Sequence, residues 1–490
     1  MKHIRFFTII IILIICIISS CKKDPELYIS SRLIEFDGMS DDSITVRILS
    51  NTKWEVTILD DWVTVDPMEG TNNATLIITA EYNPDFFRRG AKIAISGEGI
   101  KRADTIFVEQ FDGIDVAPFL LDRMFRDTCL VRYDVSPKDG KLSISELNKV
   151  QELTVKRMGI NSLRGIEYFS RLTYLDCSEN LLSILDVSKN KLLRELNCSQ
   201  NRLTRLDLSN NKELLRVFCG WNSWGPRPDQ GLYELNVTGL EKLRDISSYY
   251  TKLTTIDVST NLALETLALS GDQISNLNLS NNINLRHLEC NDNFFSVLDI
   301  SHNTKLSTLS LFRTEKRDEN GNKILSGNEL KTLNLSANTV LSVLEISGNA
   351  LSDPNIVKNN TKLLKFTCNR NEFTSLDLSN NIILDELACD KNKLTSLDLS
   401  NNLNLERLSC EDNLLNGSIN LRNNIKLRYI YLRDNRNLSQ ILVWKDFCLQ
   451  LRYNEWYPGY DDSNRPRLPF AKDVTAGWVQ EDGIICPPPQ

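Results

Sequence analysis

From Leu153 to Leu442 the chain repeats itself, and a repeat of this kind leaves few folds open. Leu172, Leu175, Cys177, Asn180, Leu182, Leu185, Val187 and Asn190 return 21 residues later as Leu193, Leu196, Cys198, Asn201, Leu203, Leu206, Leu208 and Asn211. A half-motif, Asp/Asn-x-Ser-x-Asn, starts at 186, 207, 236, 257, 278, 299, 334, 355, 377, 398 and 420, with some copies degenerate. Most intervals are 21 or 22, and two longer ones mark insertions, between Asp207 and Asn236 and over Arg313 to Asn328. One such turn cannot bury its own leucines, whereas stacked turns share a continuous core, so the period predicts a solenoid. Each Leu-x-Cys supplies a short strand with both side chains inward, and parallel neighbours repeat every ~4.8 Å over about twelve turns.

In period, leucines and asparagines together, this segment resembles the leucine-rich-repeat family. The resemblance implies a curved parallel sheet that in this family generally binds proteins. Asn180, Asn201, Asn222, Asn293, Asn349, Asn371, Asn392, Asn413 and Asn435 recur just after the strand, where an inward amide satisfies backbone groups of the bend. The recurrent Asp and Ser of the half-motif read as turn formers on the far side. Cys177, Cys198, Cys219, Cys290, Cys368, Cys389 and Cys410 occupy one repeat position, so they read as a ladder of small buried hydrophobes and not as disulfides. Outside the ladder, Cys448 and Cys486 are the pair placed for a terminal staple. The aromatic tail, 443–490, is expected to cap the stack.

The first twenty residues are a leader: Lys2 and Arg5 precede an apolar run from Ile9 to Ile18 that is short for a membrane span. The run ends Ile18-Ser19-Ser20-Cys21, which resembles a bacterial lipobox and implies lipidation at Cys21. Residues 21–27 then form a charged tether like that of Bacteroidetes-type surface lipoproteins, which implies an outer-membrane anchor facing the cell exterior.

From 28 to 112 short segments alternate with period two (Val46, Ile48; Trp54, Val56; Leu76, Ile78; Ile93, Ile95; Ile106, Val108) between turns, as in a small β-sandwich. Asn51-Thr52-Lys53-Trp54, Asp61-Trp62-Val63, Gly70, Arg88-Arg89-Gly90-Ala91 and Val108-Glu109-Gln110 resemble the BACON domain. That family's name implies carbohydrate binding. Here Trp54 and Trp62 fall in the apolar alternation and are expected in the core, leaving the domain as a spacer.

Residues 113–152 are expected to form a helical, EF-hand-like cap of two helices around a loop, the first carrying Phe119, Leu120, Met124 and Phe125. The loop resembles a calcium loop, with Asp134, Ser136, Asp139 and Glu146 as candidate ligands. The alternative reading is a metal-free capping box between Ser143 and Glu146.

Nothing in the sequence matches a hydrolase elbow, a phosphate loop or zinc spacing, and of the three histidines His287 and His302 have no neighbouring nucleophile. A net charge of −7 argues against a nucleic-acid partner. The expected function is therefore non-catalytic binding of an extracellular protein or glycoprotein on the concave face, with capture of a glycan or mucin as the alternative. The candidate ligand contacts are Phe218, Trp221 and Trp224 before the first insertion and Tyr249 and Tyr250 one turn later, with Phe218 and Tyr249 expected to face water. Replacing Cys21 with alanine should move the protein from the membrane fraction to the soluble one; membrane retention with an unmodified mature N-terminus would refute the anchor.

Overall fold

The computed structural model describes residues 24–36, 43–81, 83, 88–111, 115–135, 138, 140–222, 231–317, 323–325 and 327–445, and the short strands 459–460, 466–467, 470–472 and 477–480. The leader with Cys21, and Trp224, Ser136, Asp139, Cys448 and Cys486, lie outside these residues. Two compact units emerge, one of residues 1–119 with 126–149 and one of residues 120–125 with 150–490.

The first unit is built on two facing sheets. Leu27–Ile29, Ser43–Ser50, Ala74–Ala80 and Val63–Asp66 form a four-stranded antiparallel sheet. Leu33–Phe36, Asp104–Gln110, Arg89–Gly97, Lys53–Ile58 and Glu69–Thr71 form a five-stranded one. In the second sheet Leu33–Phe36 runs parallel to its neighbour. Period-two alternation sends Val46, Ile48, Trp54, Leu76, Ile78, Ile93, Ile95, Ile106 and Val108 into one core. Trp54 is fully buried and its Nε1 donates to the Asn72 carbonyl at 2.8 Å. Gly70 makes room for it, because a Cβ there would stand 2.4 Å from the indole. Trp62 is buried too, under the Arg89 guanidinium at 4.3 Å from its ring.

The expected helical pair is shorter than its spacing suggests. Asp122 Oδ1 accepts the N–H groups of Met124 and Phe125, so the helix starts only at Arg123 and runs to Tyr133, after a 3-10 turn at Ala117–Phe119. Leu120 and Phe125 are buried, while Phe119 and Met124 are exposed. Phe125 stacks on Phe169 with centroids 6.1 Å apart, within the second unit. The other helix is a single turn, Ile144–Leu147, with the capping box formed. Glu146 uses both oxygens on it and on the loop, accepting the Ser143 N–H and hydroxyl at 3.0 and 3.1 Å and the Val135 N–H at 2.9 Å. Asp134 accepts the Gly140 N–H at 2.8 Å. The two described candidates for calcium thus serve the backbone, and among the described residues no group of three or more His, Cys, Asp or Glu is arranged for a metal.

The second unit is the solenoid. Its main sheet has fourteen parallel strands, from Glu152–Thr154 to Phe470–Lys472. Register is strict: Leu175, Leu196, Val217, Ile246, Leu267 and Leu288 lie side by side, all with zero exposure. From Tyr174–Asp176 to Arg407–Ser409 the strands of the main sheet stop one residue before the ladder position, yet the ladder N–H still bonds the next turn, as Cys177 does to Asn197 at 2.8 Å. The tail does more than cap. Phe470–Lys472 joins the main sheet and Gly477–Gln480 joins a second parallel sheet beside Asn437–Val443, so the tail adds a turn of its own. Neither insertion shifts the register: Asp207 pairs directly with Asn236 across the first and Ser310 with Glu345 across the second, which carries an antiparallel hairpin of Glu315–Arg317 with Lys323–Leu325.

Two asparagine ladders hold the bends. In the first, Asn392 donates to the Cys368 and Cys389 carbonyls and accepts the Phe373 N–H. Asn328, at the far end of the insertion, fills the same role by donating to Cys290 and accepting from Phe295. A second ladder is formed by the last residue of the half-motif, or by the one after it in the copy at 355: Asn190, Asn211, Asn261, Asn282, Asn303, Asn338, Asn360, Asn381, Asn402 and Asn424 are all buried. Each donates to two carbonyls of the preceding turn, as Asn381 does to Val357 and Asn360 at 3.2 and 2.9 Å.

The seven ladder cysteines are fully buried free thiols, and burial pushes that of Cys219 up to about 12. Cys389→Ala should cost about 1–2 kcal/mol through lost burial and a partial cavity. Asn381→Ala should cost more, because beside the cavity it removes two buried hydrogen bonds, each worth about 0.5–1.5 kcal/mol, from carbonyls that keep one backbone donor each. Equilibrium denaturation ranks the two, and mass mapping of a bridge between Cys368 and Cys389 would refute the thiol ladder.

Candidate functional site

The outward positions of the main sheet are mostly small or polar, and their charges are largely used internally. Arg216 reaches Glu195 and Asp245, both at 3.1 Å, and Lys365 reaches Glu345 at 2.8 Å. Against this background the aromatic residues of the turns at 216–222 and 245–251 stand out.

Phe218 ends the strand Arg216–Phe218 and is 38% exposed, beside Ser247 of the next strand. Trp221 and Tyr250 occupy the second position beyond the ladder residue, and their rings stack with centroids 4.2 Å apart and an interplanar angle of 34°. They are 42% and 44% exposed. Tyr249 departs from the expectation that it faces water. It is half-buried, and its hydroxyl donates to Glu289 Oε2 at 2.8 Å, two strands away. Burial, together with that carboxylate, pushes its phenol up to about 12. The structure thus brings Trp221 and Tyr250 together as a platform, with Phe218 exposed on a neighbouring strand, and gives Tyr249 a holding role.

The platform's backbone is unusual. Trp221 and Tyr250 have φ of +59° and +52°. The same position is left-handed in Glu179, Gln200, Asp292, Arg370, Lys391, Asp412 and Asp434, and in Gly271 and Gly348. There the chain leaves the strand while its N–H still bonds the next turn, as Trp221 does to Tyr249 and Tyr250 to Ser270. Left-handed backbone costs a non-glycine residue roughly 1–2 kcal/mol, and most turns place a polar residue or glycine in it. Gly271 completes the arrangement: a Cβ there would stand 2.6 Å from the Tyr250 ring. The positive φ is a property of the stacked fold, and no single turn of sequence announces it.

Residues 26–110 match the family model described as Viral BACON domain. The N-terminal sandwich is a BACON domain. The BACON domain of this chain buries both tryptophans that its resemblance singled out. No curated protein matches the chain. Among solved structures, the chain is similar to the functional domain of InlJ from Listeria monocytogenes, which includes a cysteine ladder; identity is 24%, coverage 68% of this chain and 82% of that one, and the TM-score 0.48. It is also similar to the internalin InlF of Listeria monocytogenes, at 19% identity, 69% and 87% coverage and a TM-score of 0.49. YopM, a leucine-rich effector protein of Yersinia pestis, is similar at 18% identity, 65% and 84% coverage and a TM-score of 0.47. The leucine-rich-repeat solenoid itself stands on the register and ladders of this chain.

Proposed function

We propose that the chain is a non-catalytic bacterial surface lipoprotein, anchored through Cys21 in the outer membrane and facing outward, that binds an extracellular protein or glycoprotein on the sheet face of its solenoid. The BACON domain serves as a spacer between anchor and solenoid. The observation that carries the reading is the exposed Trp221–Tyr250 stack, held on left-handed backbone where most other turns of the solenoid place a polar residue or glycine. Exposed, rigid aromatic rings are what protein hot spots are made from, and strain retained at a surface position suits a binding role.

A glycan is the second reading, favoured by the flatness of the rings and by uncharged neighbours such as Asn197, Ser199 and Ser247. Parallel screens of the soluble chain from Lys23 against host proteins and a glycan array separate the two.

Trp221→Ala with Tyr250→Ala should weaken binding of whichever ligand the screens identify by several kcal/mol at most, since hot-spot aromatics cost about 2 kcal/mol or more each without strict additivity. Titration calorimetry measures the loss. Some stability should be lost as well, because each ring is more than half buried, so the denaturation midpoint of the double variant is measured beside its affinity. Undiminished binding by a folded double variant would move the site to Tyr429, Tyr431 and Arg433, at the far end of the same sheet.

A further inference from the structure

The first asparagine ladder is broken in two successive turns. Between Asn222 and Asn293 its rungs are Thr251 and Asp272, each 3% exposed. The intact rungs on either side both donate and accept. Asn222 donates to the Cys198 and Cys219 carbonyls at 3.2 and 2.7 Å and accepts the Leu203 N–H at 3.0 Å. Asn293 donates to Leu269 at 2.6 Å and accepts the Ile274 N–H at 3.0 Å. An ionised aspartate in such a rung can only accept.

Asp272 bonds differently, and the Leu253 N–H, which an intact rung would accept, goes to the Thr251 hydroxyl at 3.4 Å. Asp272 Oδ1 accepts the Thr251 N–H at 2.9 Å and also the Thr251 hydroxyl in a short contact. Its Oδ2 is buried with no hydrogen-bond partner among the described residues. In an intact rung at this register the Nδ2 would donate to the Ser248 and Leu269 carbonyls, by analogy with Asn222. A neutral carboxylic acid resolves the mismatch, because its O–H donates where the amide would. The titratable groups facing it from the adjoining turns are the thiols of Cys219 and Cys290, both held neutral by burial. Burial likewise pushes Asp272 up to about 7, against the opposing hydrogen bonds from Thr251.

The same two residues flank the aromatic platform. Thr251 directly follows Tyr250, and Gly271, under the Tyr250 ring, directly precedes Asp272. We propose that Asp272 is a protonatable rung that positions the Trp221–Tyr250 platform: neutral, it completes the bend beneath Tyr250, and ionised, it loosens that bend, so ligand binding is favoured on the acidic side of neutrality. The binding half of this statement rests on the function proposed above.

The sign follows from proton linkage. The folded chain holds this proton up to about 7, whereas an unfolded aspartate releases it near the ordinary value of about 4. The rung's stabilisation is therefore complete below about pH 4, falls as pH rises to about 7, and is absent above it.

The test compares the full chain with Asp272→Asn, ligand-free, at pH 5 and pH 8. It reads the denaturation midpoint and the hydrogen-exchange protection of peptides covering Tyr249 to Leu253, corrected for intrinsic exchange. The parent should lose protection there by up to about a hundredfold between the two pH values. The asparagine variant, whose amide donates at any pH, should keep it. Equal pH responses in the two proteins, or a flat profile in the parent, overturn the proposal. Should Asp272→Asn fail to fold, Thr251→Val serves instead: removing the hydroxyl that holds the carboxylate should move the parent's transition to higher pH, and an unmoved transition overturns the proposal. Because no ligand enters either readout, this test and the platform's alanine test fail independently.

Discussion

The hydrogen bonds of buried asparagine side chains are the interaction on which the solenoid depends. A turn of 21 residues has to bend sharply on both sides of the sheet, and at each bend backbone groups face inward, away from water. In the first ladder a buried amide both donates and accepts, so a single residue satisfies groups from two turns at once, while in the second it donates to two carbonyls of the preceding turn. Left without partners, such groups cost about 1–3 kcal/mol each. The two ladders therefore fix where the chain bends and how closely turns stack. The cysteines fit beside the first ladder because a small apolar side chain fills the space between leucine rows without bringing a polar demand of its own.

A scaffold fixed this firmly leaves its outward positions free to vary, and their chemistry reflects that. Charges along the main sheet pair with neighbours one strand away, which ties them to the scaffold. The left-handed position after each strand is different, since its backbone geometry is imposed by the stack whatever residue stands there. Trp221 and Tyr250 accept that cost, and their rings stack on one another instead of entering the core. Tyr249, one residue earlier, is drawn down to Glu289.

Much of this was legible in the sequence because it is periodic. Leucine spacing, cysteine positions and the first asparagine set each recur at the interval of the fold, so their inward direction follows from repetition alone. The BACON domain was legible for a related reason, as strand alternation predicts which face is buried, and both tryptophans lie on it. Local competition hid other features. Asp122 starts its helix later than apolar spacing suggests, and Glu146, read as a candidate ligand, accepts backbone N–H groups of Ser143 and Val135. Asn328 was hidden by distance, since it serves the rung of a turn that an insertion has interrupted.

The sequence by itself determined the period, the buried rows and the bends, because each depends on residue types that recur within one turn. The tertiary structure alone decided which outward residues meet. Trp221 and Tyr250 are separated by an insertion, and they touch because the strand register is kept across it, which brings equivalent positions of successive turns to the ~4.8 Å spacing of parallel strands. The same stacking places a carboxylate where its neighbours place an amide, and only there does Asp272 differ in consequence from the exposed aspartates of the half-motif. Burial, which no linear pattern states, is what makes it a different chemical group.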